Sequence, residues 1–219
     1  MKTTYLYILC AILALTVLIQ AFSIARADKK SSPETDSLAA QSTVDTAAIV
    51  QNCILTRSSV RSFTDTPLTD GQMDSLVRAA MAAPTAADKR PWEIITITDR
   101  DILNAIAERF QTMTMMKSAT AAIVICGDTA NTLDGEGATY WIQDCSAATE
   151  NLLLSAHGMG LGAVWCGIYP ISSRVEDFSA LLDLPEHIIP LSIVALGHPA
   201  GPTHPKEKYN PAKLHSQQW

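Results

Sequence analysis

AAIVIC at residues 121–126 is an uninterrupted apolar run with the length of one β-strand. Successive side chains of a strand point to opposite faces, so a strand that is apolar throughout is covered on both faces. The longest predicted helix, residues 140–157, lies downstream and is apolar on nearly every side. A helix of that kind is central in its domain or lies in a subunit interface. These two segments favour a domain of the α+β or α/β class.

Further elements follow from hydrophobic spacing and from helix-cap signals. Thr69 and Gln72 stand in the relation of a capping box before the apolar stripe of a helix. That helix must end by Ala83, because Pro84 follows. Asp99 is the predicted N-cap of a helix that extends to about residue 110. The other predicted elements are helices at 44–55 and 173–182 and strands at 92–98, 163–167 and 189–196.

The first 27 residues differ in character from the rest of the chain. Lys2 precedes an uncharged, mostly apolar run over residues 5–19, and Ala25-Arg26-Ala27 has the small-x-small form that signal peptidase cuts. This pattern predicts a secretory signal peptide and an exported protein, in the periplasm or cell envelope. The alternative is a retained membrane anchor at residues 3–25, because about 20 apolar residues span a bilayer. The flanking charges leave the orientation of such an anchor open.

Residues 28–43 are polar and predict a linker, because they lack the large apolar groups that offset the entropy of ordering. Residues 44–219 have the size of one domain. The cysteines of this domain form no CxxC pair, and the predicted role of most of them is that of small buried apolar side chains. They are Cys53, Cys126, Cys145 and Cys166.

The segment RSSVRSF at residues 57–63 concentrates positive charge in a chain whose net charge is −6. Arg57 and Arg61 present planar forks of donors that match phosphate oxygens, and Ser58 and Ser59 add hydroxyl donors. A local cation cluster in an acidic chain indicates one small anionic ligand and no nucleic acid. The alternative is that the arginines are solvated residues at a helix end, where cations are favourable.

The sequence lacks the common motifs in which protein side chains themselves carry out catalysis. Gly158, Gly160 and Gly162 follow a helix and precede a strand, the reverse of a dinucleotide-binding fingerprint, so they are predicted as cap and turn residues. The histidines are dispersed, which excludes the usual metal spacings, and there is no GxSxG motif. Asp88 and Glu150 have no evident acid or base partner. A phosphate-binding site of this kind indicates that a bound cofactor supplies the chemistry.

A second pair of cations lies in the C-terminal tail. Lys206 and Lys208 stand two residues apart in THPKEKY, an extended stretch flanked by proline. The tail follows the last predicted strand, from which the chain can fold back toward the first helix. For an isolated tail, a solvated chain end is the alternative.

Four segments, in this order, resemble those of the FMN-dependent nitroreductases, and together they cover roughly residues 50–219. RSSVRSF is similar to the opening phosphate motif of that family. APTAADKRPW, at residues 83–92, is similar to its APSxxNxQPW loop. GLGAVWCGIYP, at 160–170, resembles the segment that approaches the flavin ring, and ALGHPAGPTHPKEKYNP, at 195–211, resembles the closing strand and tail.

The resemblance implies a three-layer α+β sandwich, with a mixed, mostly antiparallel sheet flanked by helices, and a homodimer with FMN at its interface. NADH or NADPH would reduce FMN, and a small organic acceptor such as a nitroaromatic or a quinone would take the electrons in a ping-pong reaction. No side chain is implied as catalytic, and the Gly167 backbone is implied near flavin N5. The implied FMN contacts are Arg57, Ser58, Ser59, Arg61, Pro84, Thr85, Ala86, Asp88, Cys166, Gly167, Lys206 and Lys208.

Two residues depart from the family pattern. Asp88 stands where Asn is usual, and an ionised Asp only accepts hydrogen bonds. It is therefore expected to contact a donor such as flavin N3–H or a ribityl hydroxyl, or to turn toward Lys89. Arg90 replaces the common Gln, and is expected near the flavin or an acidic acceptor, or in solvent.

Other functions are also compatible with the sequence. Reductive dehalogenation and ene reduction are alternatives on the same scaffold. A different class is a flavin-binding or anion-binding protein of the cell envelope that has no turnover or an unknown donor, since reduced nicotinamide is cytoplasmic.

Overall fold

The computed structural model describes residues 45–219, and its framework is one four-stranded sheet. The strands are β1 (Trp92–Ile97), β2 (Ala121–Asp128), β3 (Gly162–Gly167) and β4 (Ile188–Gly197). Their order across the sheet is β1-β2-β4-β3, and every neighbouring pair is antiparallel. An isolated parallel bridge adds Ser59 beside Ala163 at the β3 edge.

Strand β2 is buried on both faces, as its apolar run predicts. Ala122, Val124 and Cys126 belong to one hydrophobic core, whereas the alternate residues Ile123 and Ile125 belong to a second core. This alternation follows from the two-residue period of a strand. The sheet is therefore the middle layer of three, which confirms the expected α+β sandwich.

Two helical layers cover the sheet, and every predicted helix is present within about two residues of its expected ends. The helices are α1 (Thr46–Thr56), α2 (Asp70–Met81), α3 (Arg100–Arg109), α4 (Trp141–Gly158) and α5 (Ser172–Leu181). Helices α3 and α5 contribute residues to the first core, and α2 and α4 contribute residues to the second.

Two helix starts have the caps that the sequence predicts. The Thr69 side chain accepts from the backbone N–H of Gln72, and the Gln72 side chain accepts from the backbone N–H of Thr69, so the capping box is complete. Asp99 accepts from the backbone N–H groups of Asp101 and Ile102 at the start of α3. These caps satisfy backbone donors that the first helical turn leaves without partners.

Helix α4 packs on the sheet and on α2, which confirms its central place. Its buried side carries Cys145, Ala148, Leu152 and Ala156, each fully buried. Most residues on the opposite side of α4 are half-buried, and within the helix only Gln143 and the last residue, Gly158, are exposed.

The thiols of the described residues are free, and three of the four are buried. Burial raises the pKa of Cys126 and of Cys145 to about 12, so both are neutral at physiological pH. They act as small apolar groups of the core, as the sequence predicts.

Residues 47–219 form one compact unit. Within residues 45–219, none of the helices is long and apolar enough to cross a bilayer. The predicted leader or anchor (1–27) and linker (28–43) lie outside the described residues, so those assignments stay predictions.

Candidate functional site

A cluster of cations lines one cavity of about 570 Å³ at the end of α1. Arg57 and Arg61 line it from the segment that follows α1, and Lys206 and Lys208 line it from the C-terminal tail. Ser58 and Ser59 add hydroxyl groups to the lining. The tail thus folds back onto the first basic segment, as the sequence suggested.

Backbone hydrogen bonds fix the basic segment against the ends of two strands. Val60 N–H donates to the Ala163 carbonyl at 3.0 Å, and Thr64 N–H donates to the His198 carbonyl at 2.8 Å. The Ala200 N–H returns a bond to the Ser62 carbonyl at 3.0 Å. Residues 60–64 therefore bridge the start of β3 and the chain just beyond β4.

A pair of glycines makes room for this bridge. Gly162 and Gly197 face each other across β3 and β4. An added Cβ at Gly162 would stand 2.7 Å from Val60 Cγ1, and one at Gly197 would stand 2.8 Å from Phe63 Cβ. Real Cβ atoms do not approach other atoms so closely, so both positions need glycine for close packing.

This packing corrects the prediction that all three clustered glycines are cap and turn residues. Gly160 has a positive φ of 72° in the turn after α4, so its assignment is confirmed, whereas Gly158 is the last residue of α4 itself and the C-cap is Met159. Gly162 is instead the first residue of β3. The sequence could not show this role, because it depends on Val60, which is far away along the chain.

Arg57 is not the solvated helix-end residue of the alternative interpretation. Its side chain is 16% exposed, and its Nε lies 3.2 Å from Glu150 Oε1 on α4. Arg61, Lys206 and Lys208 are exposed. Four cations therefore line the cavity, with the Arg57–Glu150 ion pair at its side.

The cavity lining also includes two tail residues with polar side chains that sequence reasoning did not select. Thr203 offers a hydroxyl, and His204 offers an imidazole. Both begin the motif THPKEKY, in which only Pro205 separates them from the lysine pair. Their position in that motif is the signal that could have nominated them.

A second candidate region is the loop between α2 and β1, which contains Pro84, Thr85, Ala86 and Asp88. Ala87, Asp88 and Arg90 have positive φ angles of 48°, 53° and 51°, a left-handed conformation that is uncommon for residues other than glycine. Strained backbone of this kind clusters at functional sites. None of these residues lines the cation cavity.

The departures Asp88 and Arg90 form an ion pair with each other. Arg90 Nε and Nη2 donate to the two Asp88 carboxylate oxygens at 2.8 and 2.6 Å. These hydrogen bonds lower the pKa of the Asp88 carboxyl below its usual value. Asp88 therefore turns toward Arg90 and not toward Lys89, and the Arg90 side chain is 66% exposed to solvent, which is one of its expected positions.

The loop is tied to α4 by a buried carboxylate. Asp144 is 7% exposed, and its Oδ1 accepts from the Ala86 N–H at 3.0 Å. The Thr85 hydroxyl also accepts from the Arg90 N–H at 3.1 Å. Sequence reasoning missed Asp144, since its partner lies 58 residues away.

The third candidate region is the end of β3. Cys166 is buried, and burial raises the pKa of its thiol to about 11, although the charges of Arg61 and Arg174 act in the opposite direction. Gly167 is exposed, and an added Cβ would meet no atom within 4 Å. Its backbone is therefore open to an approaching flat group, and its carbonyl accepts from Arg174 Nη1 at 2.7 Å.

The three candidate regions are the cation cavity, the loop before β1 and the end of β3, and within one chain they are not all adjacent. The cation cavity adjoins Ala163, and Gly167 is four residues further along β3, roughly 14 Å at strand spacing. The loop before β1 lies at the opposite edge of the sheet, beside Gly127. By strand geometry it is roughly 20 Å along and about 14 Å across the sheet from Ala163.

Comparisons with known proteins define the family. The model of the Nitroreductase family matches residues 54–114 and 110–198. A Methanothermobacter thermautotrophicus protein, whose name assigns it as an NADH dehydrogenase/NAD(P)H nitroreductase, is 39% identical over 171 residues, which cover 78% of this chain and 87% of the relative. The chain belongs to the nitroreductase family, and the resemblance read from its four segments is confirmed.

Solved structures agree with this assignment. A Parabacteroides distasonis protein with the same assigned name is 44% identical and superposes with a TM-score of 0.74, covering 78% of this chain and 98% of that protein. The NADPH:FMN oxidoreductase of Vibrio harveyi, in complex with NAD+, is 27% identical with a TM-score of 0.71, and 78% of each chain is covered.

Proposed function

We propose that this chain is an FMN-dependent oxidoreductase that takes electrons from NADH or NADPH and passes them to a small organic acceptor, such as a nitroaromatic or a quinone. The observation that carries the proposal is the cavity at which Arg57 and Arg61 meet Lys206 and Lys208. Membership of the nitroreductase family supports the class of reaction. The names of several relatives, including an FMN reductase of Bacillus subtilis, support the cofactor.

The cavity fits the phosphate end of FMN. A phosphate monoester carries nearly two negative charges at neutral pH and several acceptor oxygens, which suit guanidinium forks, ammonium groups and serine hydroxyls. Arg57, Arg61, Lys206 and Lys208 supply the charge, and Ser58 and Ser59 line the same cavity. These groups would hold the phosphate and thereby place the rest of the cofactor.

The end of β3 fits the ring of FMN. Gly167 presents open backbone, and the preceding residue, Cys166, is buried. The distance from the cavity, roughly 14 Å along the strand, suits a cofactor with a phosphate at one end and a flat ring at the other. Gly167 would orient the ring through its backbone.

When bound, FMN would supply the chemistry of electron transfer between the nicotinamide and the acceptor. The described residues provide binding and orientation. The Cys166 thiol is held protonated by burial, and Asp88 and Glu150 are paired with arginines, so none of these groups is placed as a nucleophile or a base.

The proposed site is completed across a homodimer. The loop with Pro84, Thr85, Ala86 and Asp88 lies at the far corner of the sheet from the cation cavity of its own chain. A second copy can bring its own loop to that cavity, which would unite all the predicted FMN contacts. Light scattering on the purified full chain with FMN should give the mass of a dimer, and a monomer that retains FMN would contradict this arrangement.

The reaction is tested by anaerobic sequential mixing. NADH or NADPH should bleach the flavin absorption of the purified protein, and removal of the nucleotide should leave it bleached. Addition of a nitroaromatic or a quinone alone should then restore the absorption, as a ping-pong order requires. A yellow protein that neither nucleotide bleaches would overturn the proposed donor and favour a flavin-binding protein with another donor or none.

A further inference from the structure

Arg174 connects the end of β3 to the segment that follows α3. From the first turn of α5, its Nη1 donates to the Gly167 carbonyl at 2.7 Å, and its Nη2 donates to Thr112 Oγ1 at 3.2 Å. Thr112 belongs to the 3-10 segment Gln111–Lys117. One guanidinium thus connects three pieces of chain.

Gly167 is a position where such a bond matters. Its backbone has no side chain to hold it, and glycine has more accessible conformations than any other residue. The bond from Arg174 restrains the peptide that begins at the Gly167 carbonyl, while Ile168 N–H donates to the Leu191 carbonyl at 3.0 Å. The carbonyl is held from one side and the following amide from the other.

The charge of Arg174 is not neutralised locally. Its two hydrogen bonds go to neutral oxygens, and it takes part in none of the ion pairs found within residues 45–219. By contrast, Arg109 reaches α5 through a 2.6 Å ion pair with Asp177. Helix α5 therefore has two guanidinium contacts. Arg109 is in an ion pair with Asp177, whereas Arg174 is in no ion pair within residues 45–219.

The field of Arg174 reaches the end of β3. Arg174 Nη1 is bonded to the Gly167 carbonyl, so its guanidinium lies at the end of β3, and its positive charge acts to lower the pKa of the neighbouring Cys166 thiol. A positive charge near a flavin ring stabilises added electrons, and charge near its reactive nitrogens is one way in which proteins tune the cofactor.

We propose that Arg174 is a positioning residue that holds the Gly167 peptide in place and raises the reduction potential of the bound flavin. The inference rests on the proposed function, because it requires the FMN ring to lie at Gly167. A single side chain outside the phosphate cavity would then control how readily the cofactor accepts electrons.

The test compares three variants of the full-length protein loaded with FMN. Arg174→Gln keeps an amide donor but removes the charge, so the midpoint potential of the flavin should become more negative. Arg174→Lys keeps the charge and should retain most of the wild-type potential. Both variants keep every residue of the cation cavity, so both should still bind FMN through its phosphate.

Arg109→Gln is the matched control, because it removes a guanidinium that also contacts α5 but has no bond to Gly167. Its potential should equal that of the wild type. An unchanged potential in Arg174→Gln, or an equal shift in Arg109→Gln, would overturn the inference. Neither result would affect the proposed function, which is read from reduction of the wild-type flavin by NADH or NADPH.

Discussion

Replacing Arg57 and Arg61 together by alanine should weaken FMN binding by about 100-fold to about 10,000-fold. The range follows from two charge-assisted hydrogen bonds, each worth about 1.5–3 kcal/mol, at about 1.4 kcal/mol per factor of ten. The lower end is favoured, because Arg61 is exposed and Lys206 and Lys208 remain in the cavity. Fluorescence titration of the apoprotein with FMN measures the change.

The control variant also removes two positive charges, but at positions outside the cation cavity. Arg78→Ala with Arg109→Ala deletes two arginines whose ion pairs with Asp74 and Asp177 lie outside the cation cavity. Exposed pairs of this kind contribute little to stability, and FMN affinity should stay within about threefold of the wild type. If the Arg57 and Arg61 variant binds FMN as well as the control does, the arginines do not hold the phosphate.

Gly197→Ala should both destabilise the protein and weaken FMN binding, although Gly197 does not line the cavity. The added Cβ would overlap Phe63 at its Cβ, which is attached directly to the backbone and cannot turn aside. Phe63 is 5% exposed, so the segment that carries Arg61 must shift. Overpacking of this kind costs about 1–3 kcal/mol of unfolding free energy. Urea denaturation and FMN titration measure the two effects.

Gly71→Ala is the matched control for this substitution. Gly71 lies in α2, and an added Cβ there meets no atom within 4 Å. Alanine should therefore raise the free energy of unfolding by about 0.4–1 kcal/mol and leave FMN affinity unchanged. Wild-type stability and FMN affinity in Gly197→Ala would show that the glycine pair does not position the basic segment.

The secondary structure could be predicted where its signals are local. The Thr69 capping box and the Asp99 cap involve residues two or three positions apart, and both are observed. The apolar run of β2 specified a strand buried on both faces, because burial depends on its own side chains. The family resemblance implied a mostly antiparallel sheet, but the order of the strands was not predicted, because it depends on pairing between distant segments.

The parts of the site that escaped prediction depend on contacts between distant segments. The closeness of Gly162 to Val60 requires knowing that residues 60–64 cross the strand ends. The bond from Ala86 to Asp144 and the bond from Arg174 to Gly167 are also invisible in the spacing of either partner. The cation cavity was predictable, because its residues lie in two short motifs with an unusual density of charge.

The central claim is that the cations of residues 57–61 and 206–208 hold the phosphate of FMN, and comparison of FMN with riboflavin tests it most directly. Riboflavin has the same ring and ribityl chain but no phosphate. Titration of the wild-type apoprotein with both ligands should show FMN binding at least about 100-fold more tightly, since several charge-assisted bonds are lost with the phosphate. Equal affinity for FMN and riboflavin would contradict the account.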